Sequence, residues 1–260
     1  MKRGYIDTAQ GQIHYRRQTG SGLPLALLHQ TPSSSAMYEA LMEALAGEYD
    51  MIALDTPGFG GSDAPHGEVS IAVYAETLYT ALQGLGVQAC RLFGHHTGAA
   101  IAVQMAHDHP EFVRQLALSG PPYLRPGQKA ALRENLPDAM LYEDGRHLLT
   151  LWQRLRDKNH NAPLNLTLRE ILSALQAAEN YAAAYIAVSE HDFEGQLAAL
   201  ACPVLVMAGE RDSLRGSLEA AYSVLRQGTM RVLADADTYV CDLRAEAVAG
   251  ALREFFGGAG

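Results

Sequence analysis

Short apolar runs alternate with longer stretches of three- and four-residue periodicity along most of this chain. The runs are "PLALLH" (24–29), "DMIALD" (50–55), "CRLFG" (90–94), "QLALSG" (115–120), "PVLVMAG" (203–209) and "MRVLA" (230–234), each bounded by turn residues. Such runs predict strands buried on both faces, the signature of a mostly parallel sheet covered by helices. Between them "MYEALMEALAG", "SIAVYAETLYTALQGLG" and "TGAAIAVQMAHDHP" carry apolar residues at helical spacing and end near Gly or Pro, which predicts crossover helices. The opening differs: residues 4–8 and 12–17, joined across Ala9-Gln10-Gly11, predict an antiparallel hairpin at the sheet edge.

The alternation stops between Pro121 and Ala198, where Leu, Ala, Glu and Arg dominate and Pro126, Pro137 and Pro163 punctuate. That predicts a helical insertion, dividing the chain into a first core part (1–121), a cap (122–197) and a second core part (198–260). An insert leaving after one core strand and returning before the next lies over the C-terminal edge of the sheet, where open α/β folds bind ligands. Tyr123, Leu141, Tyr142, Leu151, Trp152, Tyr181 and Tyr185 are candidates for its underside, although Leu and Trp at helical spacing are more often core.

A chain of 260 residues with 48% hydrophobic content can bury one large core. Its net charge of −9, without clustered Lys and Arg, argues against nucleic acid as a partner and for a small neutral or hydrophobic molecule. No signal-like segment and no run of about eighteen apolar residues occurs, so a cytoplasmic protein without a membrane partner is expected. A homodimer stays open. Cys90, Cys202 and Cys241 are too scattered for a disulfide framework or metal knuckle and read as free thiols. No cofactor is expected: "Pro57-Gly58-Phe59-Gly60-Gly61" lacks the phosphate-cradling G-x-x-x-x-G-K-[ST] pattern, and Asp63 reads as a brace for that loop. No metal is expected either, because His107 and His109, two apart near a helix end, point to different sides.

The candidate chemistry centres on "LFGHHTGAA" (92–100), where a strand runs into a G-x-x-x-G turn. Gly94 and Gly98 suit a sharp strand-to-helix bend whose flanking backbones nearly touch, and the residue in the middle, His96, is projected outward from it. Thr97 then offers a free backbone N–H at the helix start. His95 beside it reads as a structural histidine pointing into the protein body.

Four segments in order, "LLHQTPSSS", "LDTPGFGGSD", "FGHHTGA" and "VLVMAGERDSL", make the chain resemble the α/β-hydrolase superfamily, specifically its cap-bearing esterase, C–C hydrolase, epoxide hydrolase and haloalkane dehalogenase branches. The resemblance implies an α/β-hydrolase fold with a helical cap. It implies a nucleophile elbow at position 96, with histidine where those families carry serine or aspartate, and an acid at Asp212. It further implies oxyanion donors at Thr31 and Thr97, with Gln30 replacing the glycine of the family's H-G-x-P loop. His29 reads as a loop brace, Ser33, Ser34 and Ser35 as helix caps, with a Ser33 hydroxyl within reach of the pocket mouth. The late family histidine has no counterpart: Thr238 takes its place in "LADADTYVCDLRAEAV", and His191 is the last histidine of the chain.

An imidazole is longer than a serine side chain, so His96 is expected to fill the space of the missing ring and meet Asp212 directly, with Asp235 or Asp237 as a fallback. Gln30, Ser33, Tyr123, Trp152 and Thr238 are candidate substrate contacts. Three readings follow. One is hydrolysis of an ester, lactone or C–C bond with His96 as general base or nucleophile. The second is lyase or isomerase chemistry by the same dyad, and the third a receptor without catalysis. Cys241 has no assignable activating histidine, and Cys202 reads as packing.

Overall fold

The computed structural model describes residues 1–257. Strands β1 (Lys2–Thr8) and β2 (Gly11–Gln18) form the expected antiparallel hairpin. They are followed by β3 (Leu25–Leu28), α1 (Glu39–Ala44), β4 (Met51–Leu54), α2 (Ile71–Gly84), β5 (Cys90–His95), α3 (Thr97–Asp108) and β6 (Val113–Ser119). Helices α4 (Pro126–Glu134), α5 (Arg146–Arg156), α6 (Leu164–Ala177), α7 (Glu179–Glu190) and α8 (Phe193–Ala199) intervene before β7 (Val204–Gly209). The chain then runs through α9 (Leu218–Ser223), β8 (Gly228–Leu233), α10 (Val240–Leu243) and α11 (Ala245–Gly257).

The eight strands make one sheet in the order β1-β2-β4-β3-β5-β6-β7-β8. Pairing is antiparallel in the hairpin and between β2 and β4, and parallel from β4 to β8. This is the α/β-hydrolase fold. Alternating residues of each central strand enter different cores. In β3, Ala26 and Leu28 join α2 and α3 on one side, whereas Leu25 and Leu27 join α1 and α11 on the other. In β7, Val206 and Ala208 face the first core and Leu205 and Met207 the second. A strand with both faces covered needs apolar residues at every position, which is why these segments read as unbroken apolar runs.

Of the inserted helices, α8 turns back onto α3, with Phe193 and Leu197 buried in the main core. The α6 helix is tied down by charge. Arg169 pairs with Asp242 of α10 at 2.6 Å, and the buried Glu170 accepts from Ser33 Oγ at 2.9 Å. Among the described residues no helix is long and apolar enough to cross a membrane.

Candidate functional site

The bend after β5 forms because two glycines allow contacts that a side chain would forbid. A Cβ on Gly94 would collide with the Gly98 carbonyl, and one on Gly98 with the Leu28 carbonyl of the neighbouring strand. Between them His96 takes φ 50° and ψ −111°, a conformation that costs a non-glycine residue on the order of 1–3 kcal/mol and persists only where the surroundings enforce it. The Gly120 end of β6 makes room for the ring. It has φ +57°, and a Cβ there would overlap His96 Cδ2 and Nε2.

The imidazole reaches Asp212 in the loop after β7. His96 Nε2 lies 2.9 Å from Oδ1 and 3.0 Å from Oδ2, so its N–H donates to the carboxylate. Asp212 also accepts the Leu214 N–H at 2.7 Å, and its side chain is fully covered. Burial works to raise the Asp212 carboxyl. The charge and hydrogen bond of His96, with His95 and the Leu214 N–H, outweigh it and hold the group well below the usual carboxylate range. His96 Nδ1 makes no hydrogen bond among the described residues.

His95 is fully buried, donates from Nε2 to the Thr238 carbonyl at 2.9 Å, and stacks 4.3 Å from the His96 ring. Burial, with His96 adjacent, pushes its imidazole down to about 3, so it is neutral. His95, His96 and Asp212 form the single grouping of metal-ligand side chains among the described residues. Both Nε2 atoms are already engaged, His95 with the Thr238 carbonyl and His96 with the Asp212 carboxylate.

His96 borders a pocket of about 410 Å³ between the strand ends and the inserted helices. The core contributes Thr31, Thr97, Ser213, Leu214 and Thr238, and the insertion Gln128, Leu132, Arg154, Lys158, Tyr185 and Val188. Thr31, His96, Thr97 and Thr238 therefore border one pocket, with Asp212 hydrogen-bonded to the His96 ring.

Other expected contacts do not reach the pocket. Gln30 is 1% exposed and folded into the protein body, where its carbonyl accepts His29 Nδ1–H and the Ser33 N–H. Ser33 is closed off by its bond to Glu170; Ser34 is the residue that caps the following turn, accepting from the Ala36 N–H. Pro122 and Leu124 line the pocket, and Tyr123 between them packs on the core instead. On α5 the pocket side carries Arg154, so Trp152, two positions earlier, points elsewhere. Of the expected apolar and aromatic lining Tyr185 borders the pocket, whereas Leu141 is 78% exposed and Tyr181 is packed inside.

His29 accepts the Thr56 N–H at 2.9 Å and braces the loop, and Asp63 accepts the Gln12 N–H at 2.8 Å. His107 and His109 bind different carboxylates, Asp108 and Glu76. Asp237 is held by Asn159 and Asp235 by Arg211, so neither stands in for Asp212. Cys241 is fully buried and its thiol is pushed well up by burial.

Residues 24–236 match the family described as alpha/beta hydrolase fold. The chain belongs to the alpha/beta hydrolase fold family. Among curated relatives of the family, "Putative carbamate hydrolase RutD" of Klebsiella pneumoniae is 30% identical over 223 residues, covering 76% of this chain and 82% of the relative. A solved thermophilic esterase from Thermogutta terrifontis is 25% identical and covers 99% of each chain at a TM-score of 0.80. The chain spans about a third of the length of the first curated relatives it matches, among them an uncharacterized protein of Mycobacterium tuberculosis, 32% identical over 111 residues and covering 43% of this chain and 33% of the relative.

Proposed function

We propose that this protein hydrolyses a small carbonyl compound, an ester, a lactone or a C–C bond next to a carbonyl, with His96 as general base and Asp212 as its orienting acid. The observation that carries this reading is the orientation of the ring. Its Nε2–H is engaged by Asp212, so the lone pair is on Nδ1, which has no other partner beside a pocket. In the resemblance to serine hydrolases the imidazole stands between nucleophile and acid. Here one residue occupies both the elbow and the place of that ring, and water takes the part of the nucleophile.

In the proposed reaction Nδ1 removes a proton from water as the oxygen adds to the carbonyl carbon. Asp212 stabilises the imidazolium that forms. The N–H groups of Thr31 and Thr97 receive the developing oxyanion, and collapse of the tetrahedral adduct takes the proton back onto the leaving group. General-base action is favoured over an acyl-imidazole because the free nitrogen adjoins the Cβ branch of the ring, where an acyl group would crowd the strained bend.

The relatives support the class: RutD is named as a carbamate hydrolase and the Thermogutta terrifontis protein as an esterase. The test is turnover of p-nitrophenyl esters, lactones and β-keto acids by wild type, His96→Ala and His96→Ser. Wild type hydrolyses at least one ester or lactone, and both variants lose that activity, since no histidine follows His191 to serve a serine at the bend. Hydrolysis unchanged in His96→Ala refutes the reading. Carbon dioxide release from a β-keto acid, with no ester or lactone turned over, replaces it with proton-transfer chemistry.

A further inference from the structure

The chain carries 29 acidic and 20 basic residues, yet no residue lining the pocket is acidic and two are cationic, Arg154 and Lys158. Arg154 lies in the last turn of α5 and Lys158 two residues beyond the helix end, and both side chains border the same pocket. Among the described residues neither has a carboxylate partner, although carboxylates are close by in sequence. Asp157 is taken by His160 and Gln153, and Arg156 is spent on Ala162 and Thr167.

Arg154 Nη2 donates to the Asn135 carbonyl at 2.9 Å, which fixes the guanidinium and leaves its remaining N–H groups unspent. Both cations are half-buried. Their charge is felt inside the insertion: burial and Tyr185 raise the Tyr181 hydroxyl, while Lys158 and Arg154 pull it the other way. Two neighbouring cations beside an apolar wall repel each other, and an anion bridging them converts that cost into attraction.

We infer that Arg154 and Lys158 form an anion subsite, and that the molecule taken into the pocket bears a carboxylate at the end remote from the carbonyl presented to His96. A planar carboxylate matches the fork of the guanidinium, with the ammonium as a second point of attraction. The subsite deepens the hydrolase reading, on which it rests only for the identity of the reacting bond; capture of the carboxylate does not require the chemistry.

Calorimetric titration with succinate, glutarate and adipate, each against its neutral diamide and against inorganic phosphate, measures the subsite directly. At low ionic strength at least one dicarboxylate binds roughly tenfold or more tighter than its diamide, a preference that weakens with salt. The double variant Arg154→Gln/Lys158→Gln loses the preference, Arg154→Lys keeps part of it, and His96→Ala keeps all of it. In kinetics the double variant raises KM for the mono-p-nitrophenyl ester of the same diacid by a larger factor than KM for its length-matched neutral ester.

A preference that is absent, that survives the double variant, or that goes to phosphate over every dicarboxylate overturns the inference. Dicarboxylate binding that depends on Arg154, with neither ester hydrolysed, overturns the hydrolase reading and leaves the subsite standing.

Discussion

Among the described residues are two well-buried histidine–aspartate couples of nearly the same length, His14 with Asp55 at 2.8 Å and His96 with Asp212 at 2.9 Å. Their surroundings differ. His14 lies inside β2 in ordinary strand register, and its ring packs edge-on against Tyr5. Asp55 also accepts the Ser35 N–H at 2.6 Å and the Gly61 N–H at 2.8 Å, so one carboxylate ties β2 to two loops. Asp212 receives a single backbone N–H besides the ring, and that ring stands on a residue at φ 50° beside a pocket. A histidine–carboxylate couple is therefore no mark of chemistry by itself. One couple is a clamp on backbone, whereas the other is held under strain with a nitrogen to spare.

The largest separation of the two couples is expected in catalysis. His96→Ala lowers kcat on whichever ester or lactone the enzyme takes by roughly 10²–10⁴-fold, the usual range for a lost general base. His14→Ala retains kcat within a few-fold while lowering the urea midpoint. Similar kinetic losses in both variants would erase the distinction.

A smaller effect is expected from Gly120→Ala, which touches neither couple chemically. The added methyl occupies the space of His96 Cδ2 and Nε2, so the ring must swing away from Asp212. Displacement of a base by about 1 Å costs roughly 10²-fold in rate. Stopped-flow or steady-state assays should show that loss in kcat, and a crystal structure of the variant should show the ring moved. Full activity would mean that the ring position is not what matters.

Much of this architecture was legible in the chain, for reasons that also explain the rest. Strands covered on both faces leave no polar alternation, so "PLALLH" and "PVLVMAG" declared themselves, and the bend after β5 was readable because only Gly fits where Gly94 and Gly98 approach backbone. The His96–Asp212 contact followed from side-chain length. The inner face of the insertion was not legible. Its helix α6 exposes Leu164, Leu168 and Leu172 while burying Glu170, so apolar spacing gives the period but the wrong phase. The same ambiguity put Trp152 rather than Arg154 on the pocket side of α5, and hid the Ser33–Glu170 clasp, which joins residues 137 apart. Gly120 carried a faint signal, a glycine closing an apolar strand, but the ring it accommodates comes from the neighbouring strand end.

The smallest expected effect concerns the structural couple and its dependence on pH. Burial works to raise the Asp55 carboxyl, but the hydrogen bond from His14, the nearby His29 and the N–H groups of Ser35 and Gly61 bring it down from 3.8 to about 2. A carboxyl depressed on folding stabilises the protein above its unfolded value, and that contribution disappears as pH falls through the folded one. Asp55 therefore contributes on the order of 2 kcal/mol at neutral pH, and the contribution fades between about pH 4 and pH 2. Asp55→Asn removes the ionisable group, so the stability gap between wild type and variant should be full at pH 7 and shrink steadily below pH 4. Urea titrations at both values measure it. The comparison within one buffer cancels the parallel titration of Asp212, whose carboxyl is depressed too. A gap that stays constant down to pH 2 would mean that the variant loses packing or hydrogen-bond geometry rather than charge, and Asp55 would then be a clamp by shape and not by ionisation.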